Sequence, residues 1–383
     1  MKNVSMDVSC YGCGTCAIAC PTNAIEISLS AEGFYHPSIG DDKCIGCGLC
    51  VSVCSFLNEG IIQDSALIKS YAAWSLTPDV RKKSSSGGVS HEIFSYFIKQ
   101  GYNVCTVRYN VKQHKAEHYI AESMEQLEDS YGSKYIQSYT IDGLSDIDFN
   151  KKHVVIGTPC MIDSFKRFVI KKKAQANFVY VDFFCHGVPS YFLWQKYIRR
   201  VEMSCGDIST VSFRYKDSGW YDSYKMFMKG KRKDYLSGLN QGDLFYKLFL
   251  GDYCLGKQCY HNCKFKLRNS AADIRVGDLW GQSFNEYRDG VSAVLALTQC
   301  GYEVLQKVQN IHLQEESFEI VTEGQMAKSP KEPKVRQYIL MSLRYIESNF
   351  IIERVFMLLS TICHKIRKII TQPHIVIKNR FIK

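Results

Sequence analysis

Hydrophobic and polar positions alternate with different periods along the chain, and each period predicts an element. KHVVIG (152–157) and NFVYVDFF (177–184) are near-continuous apolar runs that end in loops, the pattern of buried strands. MIDSFKRFVIKK between them has helical period, and the order strand–helix–strand predicts a βαβ unit with parallel strands. VSHEIFSYFIKQ (89–100) puts Val89, Ile93, Phe94, Phe97 and Ile98 on one helical face. VSFRYKDSGWYDSYKMFMKG (211–230) reads as a hairpin turning at residues 217–219, and VSAVLALT (291–298) as another strand. AIEISLSAEGFYHPSI near the start predicts a small hairpin around Glu32 and Gly33, and residues 335–372 keep a helical period up to Pro373. The fold class expected is α/β, a mixed α+β domain with a βαβ core, preceded by a small cysteine-dense unit. The expected boundaries are 1–60, a linker over 57–70, 71–320, and a basic helical extension over 325–383.

Composition narrows the class. With 46% hydrophobic and 22% charged residues in 383, an ordinary buried core is expected and wholesale disorder is excluded. No apolar run reaches the roughly 18 residues of a spanning helix, and MKNVSMDVSCYGC lacks the apolar stretch of a signal peptide. A cytoplasmic location follows, in which thiols stay reduced, so the 17 cysteines read as ligands rather than disulfides. The formal charge of +10 is uneven, since seven Lys or Arg and no acid lie from Arg354 onward. That excess belongs to the tail and gives no reason to expect nucleic acid as a partner.

The first 56 residues repeat one motif. Cys10, Cys13, Cys16 and Cys20 are spaced C-x2-C-x2-C-x3-C, and so are Cys44, Cys47, Cys50 and Cys54. Three close thiolates wrap one corner of an iron–sulfur cube while the fourth serves the other cube. Cys10, Cys13, Cys16 and Cys54 are thereby assigned to one 4Fe–4S cluster, and Cys44, Cys47, Cys50 and Cys20 to a second. Gly12, Gly14, Gly46 and Gly48 let the backbone approach the sulfides. A zinc pair, the competing reading, favours two separated C-x2-C arms. The segment resembles the bacterial two-cluster ferredoxin module over its whole length, with Ser55 where a proline often follows the last cysteine.

Nine cysteines remain. Cys160 follows the strand KHVVIG and Cys185 follows NFVYVDFF, so a parallel pair brings both to one sheet edge, where open α/β sheets build sites. Cys254, Cys259 and Cys263 crowd into CLGKQCYHNC. Five candidates thus stand for the four positions of a third cluster, the competing reading being buried small hydrophobes. Cys105, Cys300 and Cys363 are left as core or tail thiols. Ser84, Ser85, Ser86, Gly87 and Gly88 open a helix whose N–H groups suit a phosphate, with Arg81, Lys82 and Lys83 nearby; serine is also a routine cap.

The succession of residues 84–88 (SSSGG), 132–135 (GSKY), 157–160 (GTPC), 185–190 (CHGVPS), 212–214 (SFR) and 277–281 (GDLWG) resembles the beta-subunit family of coenzyme F-420 hydrogenases and dehydrogenases over roughly 71–320. The resemblance implies FAD beside iron–sulfur clusters. It makes Ser84, Ser85, Ser86, Gly87, Gly88, Lys134, Gly157, Thr158, Pro159, Gly277 and Asp278 candidates for the FAD pocket. It makes Cys160, Cys185, Cys259 and Cys263 the third-cluster ligands, although C-x3-C stands where C-x2-C is expected and Cys254 is a substitute. Lys134 and His186 are the catalytic candidates. An external donor such as ferredoxin would supply electrons through the N-terminal and third clusters to FAD, which exchanges hydride with a small substrate or deazaflavin. Bacterial members occur among surface-polysaccharide genes. A non-catalytic electron-transfer subunit is the competing function. Radical S-adenosylmethionine chemistry is excluded, since Asn23 and Lys266 occupy the positions a third cysteine would need. The stretch 351–370, apolar with a basic end, suits an anionic membrane surface or an acidic partner, or else packs on its own domain.

Overall fold

In the computed structural model, residues 3, 4, 10–61, 69–261 and 263–346 are described. The cysteine-rich start contains the strands β1 (Ile25–Leu29) and β2 (Tyr35–Ile39), an antiparallel pair turning through Gly33 at φ 78°. Two short helical turns, Thr15–Ile18 and Leu49–Ser52, each follow a left-handed glycine, Gly14 and Gly48.

The rest of the chain builds one large sheet. In chain order its strands are β3 (Lys69–Ser75), β4 (Asn103–Asn110), β5 (Lys115–Ala121), β6 (Ser138–Tyr139), β7 (His153–Gly157) and β8 (Phe178–Phe183). A separate three-stranded sheet follows, β9 (Ile208–Ser212), β10 (Lys225–Gly230) and β11 (Tyr235–Gly238), and the chain then returns through β12 (Ile274–Asp278), β13 (Ser292–Ala296) and β14 (Ile311–Glu315). The large sheet has the order β14-β3-β13-β12-β8-β7-β4-β5-β6.

The expected βαβ unit is present. β7 and β8 are parallel, with Val154 opposite Val179 and Ile156 opposite Val181, and the Pro159–Lys171 helix crosses between them. β12 extends this parallel set beside β8, and β13 and β3 continue it by antiparallel pairing. One edge of the sheet therefore collects the C-terminal ends of β7, β8, β12 and β3 and the start of β13. The hairpin expected at 211–230 differs. β9 and β10 pair, but residues 213–224 leave the ladder because Phe213, Arg214 and Trp220 are buried against the large sheet.

The cysteine-rich unit is moored to this sheet. Gln137 accepts from the Tyr35 N–H at 2.9 Å and donates to the carbonyls of Tyr11 and Gly12. Thr140 donates to the Cys13 carbonyl at 2.8 Å, and the Tyr191 N–H to the Gly33 carbonyl at 2.7 Å. Ala19 and Val53 join the apolar cluster of Ile162, Phe165 and Phe168.

Among the described residues no helix is long and apolar enough to cross a membrane. Of the helical extension, Arg336–Tyr345 is described; Cys363 and the 351–370 stretch lie outside the described residues.

Candidate redox site

The N-terminal cysteines line two separate hollows. Cys10, Cys13, Cys16 and Cys54 line one, with Thr15 and Ser164. Cys20, Cys44, Cys47 and Cys50 line the other, with Gly46 and Gly48. Each hollow takes three thiols from one repeat and its fourth from the other, because each left-handed glycine turns the loop around its thiols while the last cysteine lies beyond the helical turn. The first hollow meets the Pro159–Lys171 helix through Ser164; at the second, Cys47 is exposed.

A third set of thiols gathers at the shared sheet edge. Cys160 follows β7 at the start of the Pro159–Lys171 helix, and Cys185 follows β8. Cys259 lies in the Lys257–Tyr260 turn, with Cys263 just beyond. Cys160 is within electrostatic reach of Cys185 and Cys263, and Cys185 of Cys259 and Cys263. Burial, reinforced by neighbouring thiols, pushes Cys160 far up, Cys185 to about 12 and Cys259 to about 11, while Lys266 pulls the last two the other way. Four thiols drawn from three segments to one sheet edge suit the donor set of a cationic iron–sulfur core, which deprotonates its ligands outright. Cys13, from the first hollow, is also within reach of Cys160.

Cys254 stands apart from this set. It is fully buried among Trp194, Phe245 and Phe249, with its thiol 3.7 Å from the Leu248 carbonyl.

Buried charge fixes the loop that carries Cys263. Arg275 on β12 and Asp182 on β8 face each other in register, both fully buried, bonded at 2.7 and 2.6 Å. The same guanidinium donates to the carbonyls of Phe265, Leu267 and Asn269. Lys266 donates to the Cys185 carbonyl at 2.9 Å.

The remaining candidates lie along the same edge. Gly88, at φ 86°, precedes the Val89–Lys99 helix, which no side chain caps. Ser84, Ser85 and Ser86 are engaged with Val80, Ser133 and Val291. Gly87 packs on the sheet, where an added Cβ would lie 2.5 Å from the Ala73 carbonyl. The uncapped N–H groups beside Arg81 and Lys82 fit an anionic group such as a diphosphate. Lys134 donates to the carbonyls of Ser130 and Tyr131 at 2.8 and 2.9 Å, and burial lowers it to about 7. Asp278 binds Arg214 at 2.8 Å and the Trp220 indole at 2.7 Å. Its carboxylate is thus held in place by the guanidinium and the indole. His186 Nε2 lies 2.8 Å from Asp252. Gly157 lies close under Met161, with Thr158 and Pro159 opening the next helix, so these three shape the turn that presents Cys160.

Sequence reading missed Tyr11, Gln137, Asp252, Lys266 and the Arg275–Asp182 pair. None sits in a spacing that announces a role; each acts through tertiary approach.

Fold and thiol arrangement define an iron–sulfur protein of the oxidoreductase, electron-transfer-subunit class. The chain belongs to the coenzyme F420 hydrogenase/dehydrogenase beta-subunit family: residues 70–144 match its N-terminal model and residues 150–319 its C-terminal model. Residues 9–57 match the 4Fe-4S dicluster domain. Thirteen chains of solved structures match. One, from the xenon-derivatized F420-reducing NiFe hydrogenase complex of Methanosarcina barkeri, is 18% identical with a TM-score of 0.46, over 77% of this chain and 95% of that one. Among curated proteins, none matches.

Proposed function

We propose that this chain is an FAD-dependent iron–sulfur reductase that passes electrons between a one-electron donor and a small two-electron acceptor. Cys10, Cys13, Cys16 and Cys54 hold one 4Fe–4S cluster, Cys20, Cys44, Cys47 and Cys50 a second, and Cys160, Cys185, Cys259 and Cys263 a third. The observation that carries this reading is one sheet edge shared by the third thiol set and the uncapped Val89–Lys99 helix, with Cys13 of the first hollow beside Cys160. When bound, the clusters supply single-electron carriers and FAD couples them to two-electron chemistry. The chain's own part is to bind and orient. The N–H groups of the Val89–Lys99 helix receive the diphosphate, and Arg81 and Lys82 add positive charge. Lys134, near neutrality through burial, holds the 130–134 loop beside Ser85 and has a proton to share at ordinary pH. His186, with Nε2 2.8 Å from Asp252, stands next to Cys185 and is the candidate proton carrier there. The exposed rim at Cys47 supports entry of electrons from an external carrier such as ferredoxin. Deazaflavin and a precursor of a surface polysaccharide are the acceptor classes the family resemblance suggests.

The test is anaerobic purification followed by cofactor extraction and stopped-flow reduction with ferredoxin. Stoichiometric FAD, reduced by ferredoxin and reoxidised by a soluble acceptor, is expected. Reconstituted protein that binds all its iron and no flavin would overturn the reductase reading in favour of an electron-transfer subunit.

A further inference from the structure

The loop that carries Cys263 reaches the wall of the first hollow with one charged side chain. Lys264 follows Cys263, and its ammonium donates to the carbonyls of Ser55 and Phe56, each at 3.2 Å, and of Asn58 at 2.6 Å. These residues come directly after Cys54, and Phe56 and Leu57 line the first hollow beside it. An ammonium has three protons and accepts nothing, so three carbonyls converging on one nitrogen take all its donors and fix the charge in place. Both ends of this link are tied down. On one side Arg275 donates to the Phe265 and Leu267 carbonyls, and the Cys263 N–H donates to Ser329 Oγ at 3.0 Å. On the other the Ser55 N–H donates to Ser164 Oγ at 2.9 Å. The Tyr11 ring stands edge-on against both sides, 5.8 Å from Phe56 and 6.0 Å from Phe265. Lys264 is half-buried, so water screens its charge only in part.

We infer that Lys264 is a positioning residue that holds a fixed positive charge between the first cluster and the third, its stem rooted next to Cys263 and its head bonded next to Cys54, and that it raises both reduction potentials relative to the second cluster. This rests on the three-cluster reading given above. A nearby cation stabilises the reduced, more negative form of a cluster, and local charge is one of the levers on its potential. The second hollow is lined by residues no later than Cys50, so the charge acts on it least. Electrons that arrive at the exposed Cys47 rim are thereby drawn inward, to the first cluster and on to the third.

The test is a redox titration of full-length, anaerobically prepared protein, followed by electron paramagnetic resonance, with iron counted per chain. Lys264→Met keeps the stem and removes the charge, and Lys264→Arg keeps the charge. In Lys264→Met the expected result is unchanged iron, with first- and third-cluster midpoints each lowered by about a tenfold change in the reduction equilibrium, about 59 mV for one electron. The second-cluster midpoint should stay in place, and Lys264→Arg should hold all three at wild type. Unshifted Lys264→Met midpoints with about twelve irons bound would overturn the role of Lys264 and leave the third cluster standing. An equal shift in Lys264→Arg, a shift of the second cluster alongside the others, or loss of iron from either variant would make Lys264 a structural prop and overturn the inference. Wild-type protein with only about eight irons would remove the third cluster and the inference together.

Discussion

Cys20 shows how far a single thiol can serve a group other than its own repeat. It lines the hollow of Cys44, Cys47 and Cys50, and its sulfur accepts the Ala24 N–H at 3.3 Å. Cys20→Ser should damage the cluster of the second repeat and spare that of the first, as read by their separate paramagnetic signals; the opposite pattern would reverse the ligand assignment. Cys254 and Cys259 make the matching contrast. Cys254→Ala should keep about twelve irons per chain and Cys259→Ala about eight, since four iron atoms leave with one cube. Spacing made the eight N-terminal ligands legible, because a cube takes its thiols from neighbouring turns of a short loop. It left Cys254 and Cys259 as rivals, because only tertiary approach separates them: Cys259 comes within reach of Cys185 and Cys263, and Cys254 of Arg336 and Asp252 instead. His118 was invisible for the same reason. Burial lowers it to about 4, with its ring held by Ser138 at 2.8 Å and the Ile156 carbonyl at 3.1 Å. The unfolded chain takes up a proton near pH 6.5 that the folded one refuses, so stability is full above that value and falls as pH drops towards 4. The loss from this site at pH 4 is on the order of 3 kcal/mol. Thermal melts across that range should show it, and His118→Gln should flatten the slope.

At the level of elements, the parallel strands were legible because both faces of β7 and β8 are covered, which leaves near-continuous apolar runs. β12, read as IRVGD, was not, since its central arginine looks like a surface residue until Asp182 stands opposite it. Removing one partner of such a buried pair costs about 3–5 kcal/mol. Arg275→Ala should therefore lower the free energy of unfolding in denaturant titrations by that amount and release the loop of Cys263; a surface-like change of a few tenths would contradict the role given to the pair. The phosphate-type helix start calls for a gentler probe than Gly87, because any side chain there strikes the Ala73 backbone and disturbs the sheet whatever is bound. Ser85→Asp keeps an oxygen to accept the Ser133 N–H and adds a negative charge beside the uncapped helix. It should abolish FAD retention without loss of iron, measured on the same sample; full flavin occupancy would move the diphosphate elsewhere.

Over the whole molecule, the N-terminal unit behaves less as an appended domain than as a wall of the main one. Gln137, Thr140, Ser164 and Tyr191 hold it from three different segments, and its Val53 is part of the main core. A boundary near residue 60 followed from composition, whereas these moorings are three polar side chains and one backbone N–H, with no periodic signature. A negative charge placed at the interface through Thr140→Asp should loosen the unit, seen as faster proteolysis within the first 60 residues and unchanged protection of the sheet. The origins of the three thiol sets have a consequence for biogenesis. Both N-terminal hollows draw their cysteines from the first 54 residues, but the third needs strands as distant as β12 and the Arg275 knot. At about 5–20 residues per second, a ribosome takes roughly 10–45 seconds to travel from Cys54 to Arg275. During that interval a nascent chain can already carry two clusters while the place for a third does not exist. On the three-cluster reading proposed above, iron delivery to this protein is two events separated in time, and the later one must reach thiols enclosed by a folded body.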